Sequence, residues 1–130
     1  MEYFSTDFNT KMSPVLKELG VFFAFSAKQF EEKKVEGVKY KILGAGTICP
    51  KDNVQKFLSE CDRITKEVTE ARLKKYGLKR MVFQELDNHE CMITWDAVPA
   101  INALVSQGLD RGTLEEFVES NWNTYTSQYN

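Results

Sequence analysis

The densest group of chemically versatile side chains in this chain is Glu85-Leu-Asp-Asn-His89-Glu-Cys91. His89 is the only histidine, so an acid–base step that needs an imidazole near neutral pH must use it. Glu85 precedes it by four residues, which on a helix puts the carboxylate on the same face, able to orient the ring or take a proton from it. Cys91 could act as the nucleophile of a Cys-His pair, but positions i and i+2 point apart on a helix and share a face only in an extended strand. Glu85, His89 and Cys91 are therefore the candidates for a catalytic group, and no catalytic role is assigned to them. The structural alternative has His89 closing a helix by donating to its last carbonyls, with Asn88 as a left-handed cap. A zinc site would have to recruit Cys49, Cys61 or distant carboxylates. Three cysteines without CxxC spacing suggest neither a zinc module nor a disulfide framework, so reduced and mostly buried thiols are expected, with no metal and no cofactor.

A second place for chemistry is Leu43-Gly-Ala-Gly46-Thr47. Bare backbone N–H groups after a strand can approach an anion or a nucleotide phosphate. The stretch has no GK[ST] and lacks the third glycine of a dinucleotide fingerprint, so a tight hairpin turn competes with phosphate binding. A ligand site built on this turn would draw on Tyr40, Gly44 and Gly46 together with Asn88, His89 and Glu90.

The third signal is electrostatic. The net charge of the 130 residues is −2, yet residues 1–50 carry +1, residues 51–80 carry +4 and residues 81–130 carry −7. Arg72, Lys74, Lys75, Lys79 and Arg80 crowd around Gly77, where they can meet phosphates or an acidic protein surface, or complement a helix C-terminus. Between Glu85 and Glu119 only Arg111 opposes the carboxylates, a face suited to repelling nucleic acid and to attracting a basic groove. Trp95, beside an acidic cap, and Trp122, in a polar helix, are expected to be partly exposed, as interface anchors often are. The partner-binding set is thus Arg72, Lys74, Lys75, Lys79, Arg80, Trp95 and Trp122. Phe22, Phe23, Phe25 and Phe30 read as core, because no basic residue is interleaved with the first three.

These side chains must be positioned by a small set of elements. Ser13-Pro14 and Gly20 bracket a short helix over 14–19. Val21-Phe-Phe-Ala-Phe25 reads as a buried strand that passes, through a Ser26/Gln29 capping box, into a helix over about 27–35. Val38-Lys-Tyr-Lys-Ile42 alternates as a half-wet strand, and Thr47-Ile-Cys49 can pair as a third. A capping box at Asp52/Gln55 opens an amphipathic helix to about Tyr76, in which Val54, Phe57, Leu58, Cys61, Ile64, Val68 and Ala71 recur at steps of three and four. Gly77 interrupts it before a helix over Leu78 to His89. Asp96 can cap a helix over 97–107, and Thr113 with Glu116 one over about 114–125; the tail from Thr124 is expected to fray. The expected fold is α+β and predominantly helical, with four to five helices and a two- or three-stranded sheet in the N-terminal third. It is read as one domain over 1–130, with a β-containing part over about 20–50 and a helical body over about 52–125.

No apolar run approaches the roughly 20 residues of a membrane span, and the N-terminus lacks the basic start and apolar core of a signal peptide, so no membrane partner and a cytoplasmic location are expected. Three stretches, Val21-Phe-Phe-Ala-Phe-Ser-Ala-Lys-Gln-Phe-Glu32, Gly44-Ala-Gly46 with Pro50-Lys51, and Glu85-Leu-Asp-Asn-His-Glu-Cys91, resemble a family of small uncharacterised phage and prophage proteins over about residues 20–95. The resemblance implies a mobile-element accessory protein, a class whose members bind and inhibit host proteins, including CRISPR and other defence systems, or sequester signalling nucleotides. It brings no catalytic residues. The expected function is a non-enzymatic protein that occupies a host macromolecule as an inhibitor of host defence, with nucleic acid not expected as the sole partner. A small-ligand or nucleotide-binding protein is the alternative, and a small enzyme using Glu85, His89 and Cys91 the third reading.

Overall fold

Pro14 does not start the first helix. In the computed structural model, which describes residues 1–129, α1 runs from Phe4 to Leu19 with Pro14 inside it and Tyr3 at its N-cap. The ten residues before Pro14 hold the helix through a Phe4–Phe8 ring stack one turn apart, with centroids at 5.7 Å, and through buried Met12. Proline removes one helical donor, which is tolerated here because Pro14 is exposed. Left-handed Gly20 stops the helix as expected: its N–H bonds Lys17 O, and the Val21 N–H bonds Leu16 O.

The chain divides within its longest helix into two compact units, one of residues 2–64 and one from residue 65 onward that also takes in Met1. In the first unit a three-stranded antiparallel sheet has the order β1 (Phe22–Phe23), β3 (Thr47–Pro50), β2 (Tyr40–Ile42). The register sets Phe22 and Ile42 on either side of Ile48, and Tyr40 opposite Pro50. The apolar run Val21–Phe25 is not a buried strand: only two of its residues pair, and Phe23 and Phe25 are 42% and 75% exposed. An edge strand has one face to bury, and Phe22 takes it, lying edge-on to Tyr40 at 5.3 Å and tilted to Phe30 at 6.1 Å. The Ser26 cap holds for α2 (Ala27–Lys33): Ser26 Oγ accepts from the Gln29 N–H, and Gln29 Oε1 accepts from the Phe25 N–H. A short 3₁₀ turn (Lys51–Asn53) leads into α3 (Val54–Tyr76), with the Asn53 amide donating to Leu19 O. Met12, Leu19, Val21, Ile48, Cys49, Phe57 and Ile64 are the buried apolar residues of this unit, whereas Leu58, although on period, is 46% exposed.

The second unit is helical. The last part of α3 is followed by α4 (Leu78–Asn88), α5 (Cys91–Thr94), α6 (Val98–Ser106) and α7 (Arg111–Ser127). Val82, Leu86, Cys91, Ala100, Ile101, Leu104, Leu114, Val118 and Tyr125 form one core cluster. The described residues thus contain seven α-helices rather than four to five. The helix α5 is too short to generate a period, and α1, expected only over 14–19, extends ten residues further toward the N-terminus than its internal proline suggested. Two caps shift. Helix α6 starts one residue later than expected, with Ala97 at its N-cap and no side-chain cap there, while Asp96 accepts from the Val98 N–H at 3.0 Å; α7 is capped by Asp110, whose Oδ2 accepts from both the Thr113 N–H and its hydroxyl at 2.9 Å. The tail does not fray at Thr124, because Tyr125 is only 1% exposed and ties the last turns of α7 to the core.

Candidate functional site

The last turn of α4 carries the ionisable cluster. Glu85, 7% exposed, meets His89 with Oε2 to Nε2 at 3.3 Å, as the four-residue spacing predicts. Its other oxygen accepts from the Gln107 amide at 3.5 Å, and the Gln107 carbonyl in turn accepts from the Thr69 hydroxyl at 2.7 Å. The carboxylate therefore links α4 to the end of α6 through a buried polar chain, an arrangement that satisfies groups which would otherwise be costly to bury. The His89 ring goes to this carboxylate and not to the helix carbonyls; the backbone N–H of His89 bonds Glu85 O. Left-handed backbone follows at Glu90 (φ 53°), not at Asn88, which is still helical. Cys91 is fully buried, and burial pushes its thiol above the ordinary value, the Ala100 N–H opposing in part. A buried thiol with a raised pKa is a packing group and not a nucleophile.

The residues of the ligand-site reading fall in different units: Tyr40, Gly44 and Gly46 in the first, Asn88, His89 and Glu90 in the second. Tyr40 packs its ring on Phe22 and Phe30, and its hydroxyl oxygen accepts from the Val35 N–H at 3.0 Å. Gly44, Ala45 and Gly46 all have positive φ and form the β2–β3 turn, closed by bonds from the Leu43 N–H to Thr47 O and from the Thr47 N–H to Gly44 O. The Gly46 carbonyl accepts from the Ala24 N–H, and a Cβ at Gly46 would run into the Phe25 ring. The turn is thereby a hairpin loop covered on one side by an aromatic ring.

The partner set is mostly brought together. Arg72 is the exception: it is 3% exposed, bonded to Gln84 Oε1 at 2.7 Å and laid over the Tyr76 ring, so it is a core cation and not a surface one. Lys74, Lys75, Lys79 and Arg80 are exposed around the α3–α4 corner. Lys75 and Arg80 also lie over the Tyr76 ring, at 5.2 and 5.1 Å, and Lys79 lies over Phe83 at 5.6 Å. From Phe83 a chain of rings continues through Tyr125 (5.2 Å) and Trp122 (5.6 Å) to Trp95 (5.7 Å). The basic corner and the two tryptophans are thus joined through one aromatic ladder.

Trp95 ends that ladder at 69% exposure, with φ 57°, and it closes α5, whose other end is left-handed Glu90. Ile93 and Val98 beside it in sequence are 75% and 53% exposed. The ladder is braced by Asp87, whose Oδ1 accepts from both the Tyr125 and the Tyr129 hydroxyls. Burial, together with that carboxylate, holds the Tyr125 phenol well above its ordinary range, and the carboxylate raises that of Tyr129. Sequence reasoning did not single out Ile93, Tyr125, Tyr129 or Asp87. The signal was the aromatic spacing 122, 125, 129 on one helical face, masked by the polar residues between them.

Among the described residues no group of three or more His, Cys, Asp or Glu side chains is arranged to hold a metal ion, and no helix is long and apolar enough to cross a membrane. The model of a family of unknown function (DUF7659) matches residues 4–127. No curated protein and no solved structure matches the chain.

Proposed function

The chain belongs to that family of unknown function (DUF7659), and we propose that it is a non-enzymatic binding protein that docks a macromolecular partner through the surface at Trp95. One observation carries the reading: Trp95 is 69% exposed on a left-handed backbone, with exposed Ile93 and Val98 near it in the chain and Trp122 against its ring. A bulky residue occupies that backbone region at a cost of about 1–2 kcal/mol, which the ring contact with Trp122 offsets only in part for an indole left mostly exposed. Large aromatic and aliphatic side chains presented together are the usual anchors of protein interfaces. The −7 charge of residues 81–130 selects a partner with a basic rim around an apolar pocket and disfavours nucleic acid. The resemblance to phage and prophage proteins supports a narrower form of the proposal, in which the partner is a host macromolecule and its occupation inhibits host defence.

Affinity purification from the native host tests this with three forms of the full chain: unaltered, Ile93→Asp with Trp95→Ala, and Lys74→Glu with Lys75→Glu. A protein that co-purifies near one-to-one with the unaltered chain and is lost from the Ile93/Trp95 variant supports the proposal, provided the variant melts as the parent does. Retention by that variant with loss from the lysine variant overturns the choice of surface.

A further inference from the structure

Residues 2–64 hold a cleft of about 350 Å³ between the end of α1, the sheet and the segment joining α2 to β2. Its apolar lining comes chiefly from Val21, Phe22, Val35, Val38, Tyr40 and Pro50, and its two charged lining residues are both cations, Lys17 and Lys33. One wall is preorganised: Tyr40 stands edge-on to Phe22 and Phe30, at 5.3 and 5.7 Å. At the rim Val35 and Val38 are 61% and 40% exposed although they are joined in a turn by the Val38 N–H to Val35 O bond, so folding leaves them uncovered. Lys33 is held in place by donating to Phe23 O at 2.7 Å, which uses one of its three N–H donors. The Tyr40 oxygen accepts from Val35, which leaves its own proton to donate.

An apolar cleft of ligand size with cations and no carboxylate in its lining has a defined complement. We propose that it binds a small amphipathic anion: an aromatic or medium-chain aliphatic body against Phe22, Tyr40 and the valines, and a carboxylate facing Lys17 and Lys33. The site shares no residue with the Trp95 surface, since every residue in it belongs to the other unit. It keeps Tyr40 from the ligand-binding reading of the sequence and replaces the Gly44–Gly46 turn as its partner.

The probe is 1-naphthoate, titrated into the full ¹⁵N-labelled chain and compared with its neutral analogue 1-naphthalenemethanol. Saturable amide shifts confined to the neighbourhood of Val21, Val35, Val38 and Tyr40, with the neutral analogue at least tenfold weaker, are expected. Lys17→Glu, an exposed change, weakens naphthoate at least tenfold, and Val38→Asp at the rim does the same. Lys33→Met also removes the bond to Phe23 O, so its result counts only if the spectrum of the free protein is otherwise preserved; Lys17→Glu carries the charge test by itself. Shifts mapping to Ile93 and Trp95, equal affinity for acid and alcohol, or unchanged binding by Lys17→Glu overturns the proposal. The loss of a macromolecular partner in Ile93 and Trp95 variants has no bearing on it.

Discussion

The hydroxyl of Tyr125, on the last helix, donates to Asp87 Oδ1 at the end of α4 over 2.8 Å. The contact joins positions 38 residues apart and ties down the C-terminal turns. Tyr125→Phe keeps the ring in the ladder and removes the hydroxyl, with its bond to Asp87 and its contact with the Tyr129 hydroxyl, so a loss of about 1–2 kcal/mol in urea unfolding at neutral pH is expected.

The same bond has an alkaline signature. Folding raises the Tyr125 pKa above its ordinary value, chiefly through burial and then through Asp87. Below about pH 10 the phenol is protonated in both states, and its contribution to stability is fully present. As pH rises through that value the unfolded chain releases the proton while the folded chain keeps it, so stability falls. Absorbance at 295 nm should show that Tyr125 ionises only with unfolding and that Tyr129 is delayed, while Tyr125→Phe loses stability less steeply above pH 10.

Trp95→Gly separates fold from function. Glycine relieves about 1–2 kcal/mol of left-handed strain and forfeits about 0.5–1.5 kcal/mol of ring contact with Trp122. Unfolding free energy within about 1 kcal/mol of the parent is expected, together with loss of the exposed, red-shifted component of indole emission. A loss above about 3 kcal/mol would identify Trp95 as a folding residue instead.

The Gly44-Ala-Gly46 turn yields a comparison. Gly44→Ala meets open space and should cost only the positive-φ penalty, about 1–2 kcal/mol. Gly46→Ala adds a collision with the Phe25 ring, and about 1 kcal/mol more is expected. That excess should vanish in a Phe25→Ala background, measured as a double-mutant cycle by thermal unfolding.

Alkylation reads the three thiols. Burial raises the pKa of each, and for Cys61 the carboxylates of Asp62 and Glu60 add to it. Mass spectrometry after iodoacetamide at pH 8 should show Cys61, only partly buried, modified first and slowly, with Cys49 and Cys91 protected until the chain unfolds.

Much of this was legible where a signal is local. The Ser26–Gln29 cap, the Gly20 stop, the hairpin at Gly44–Gly46, the extent of α3 and the Glu85–His89 pairing all involve residues within four positions of each other. Pro14 misled because a proline signal at a helix start also fits an exposed mid-helix site. The Phe22–Phe25 run misled because aromatic content reports strand propensity and not how many faces are covered.

By itself, then, the amino-acid sequence determined the mainly helical α+β class, most element types and most helix ends, since hydrogen bonds and caps act over a turn or less. It also determined the segmental charge. Tertiary structure decided exposure and partnership: that Arg72 is buried while Phe25 and Trp95 are not, that Cys91 is core, and that Lys79 and Trp95 are linked through Phe83, Tyr125 and Trp122. The physical reason is that what covers a side chain is supplied by segments distant in the chain, and no period along a single helix or strand records which of them will arrive.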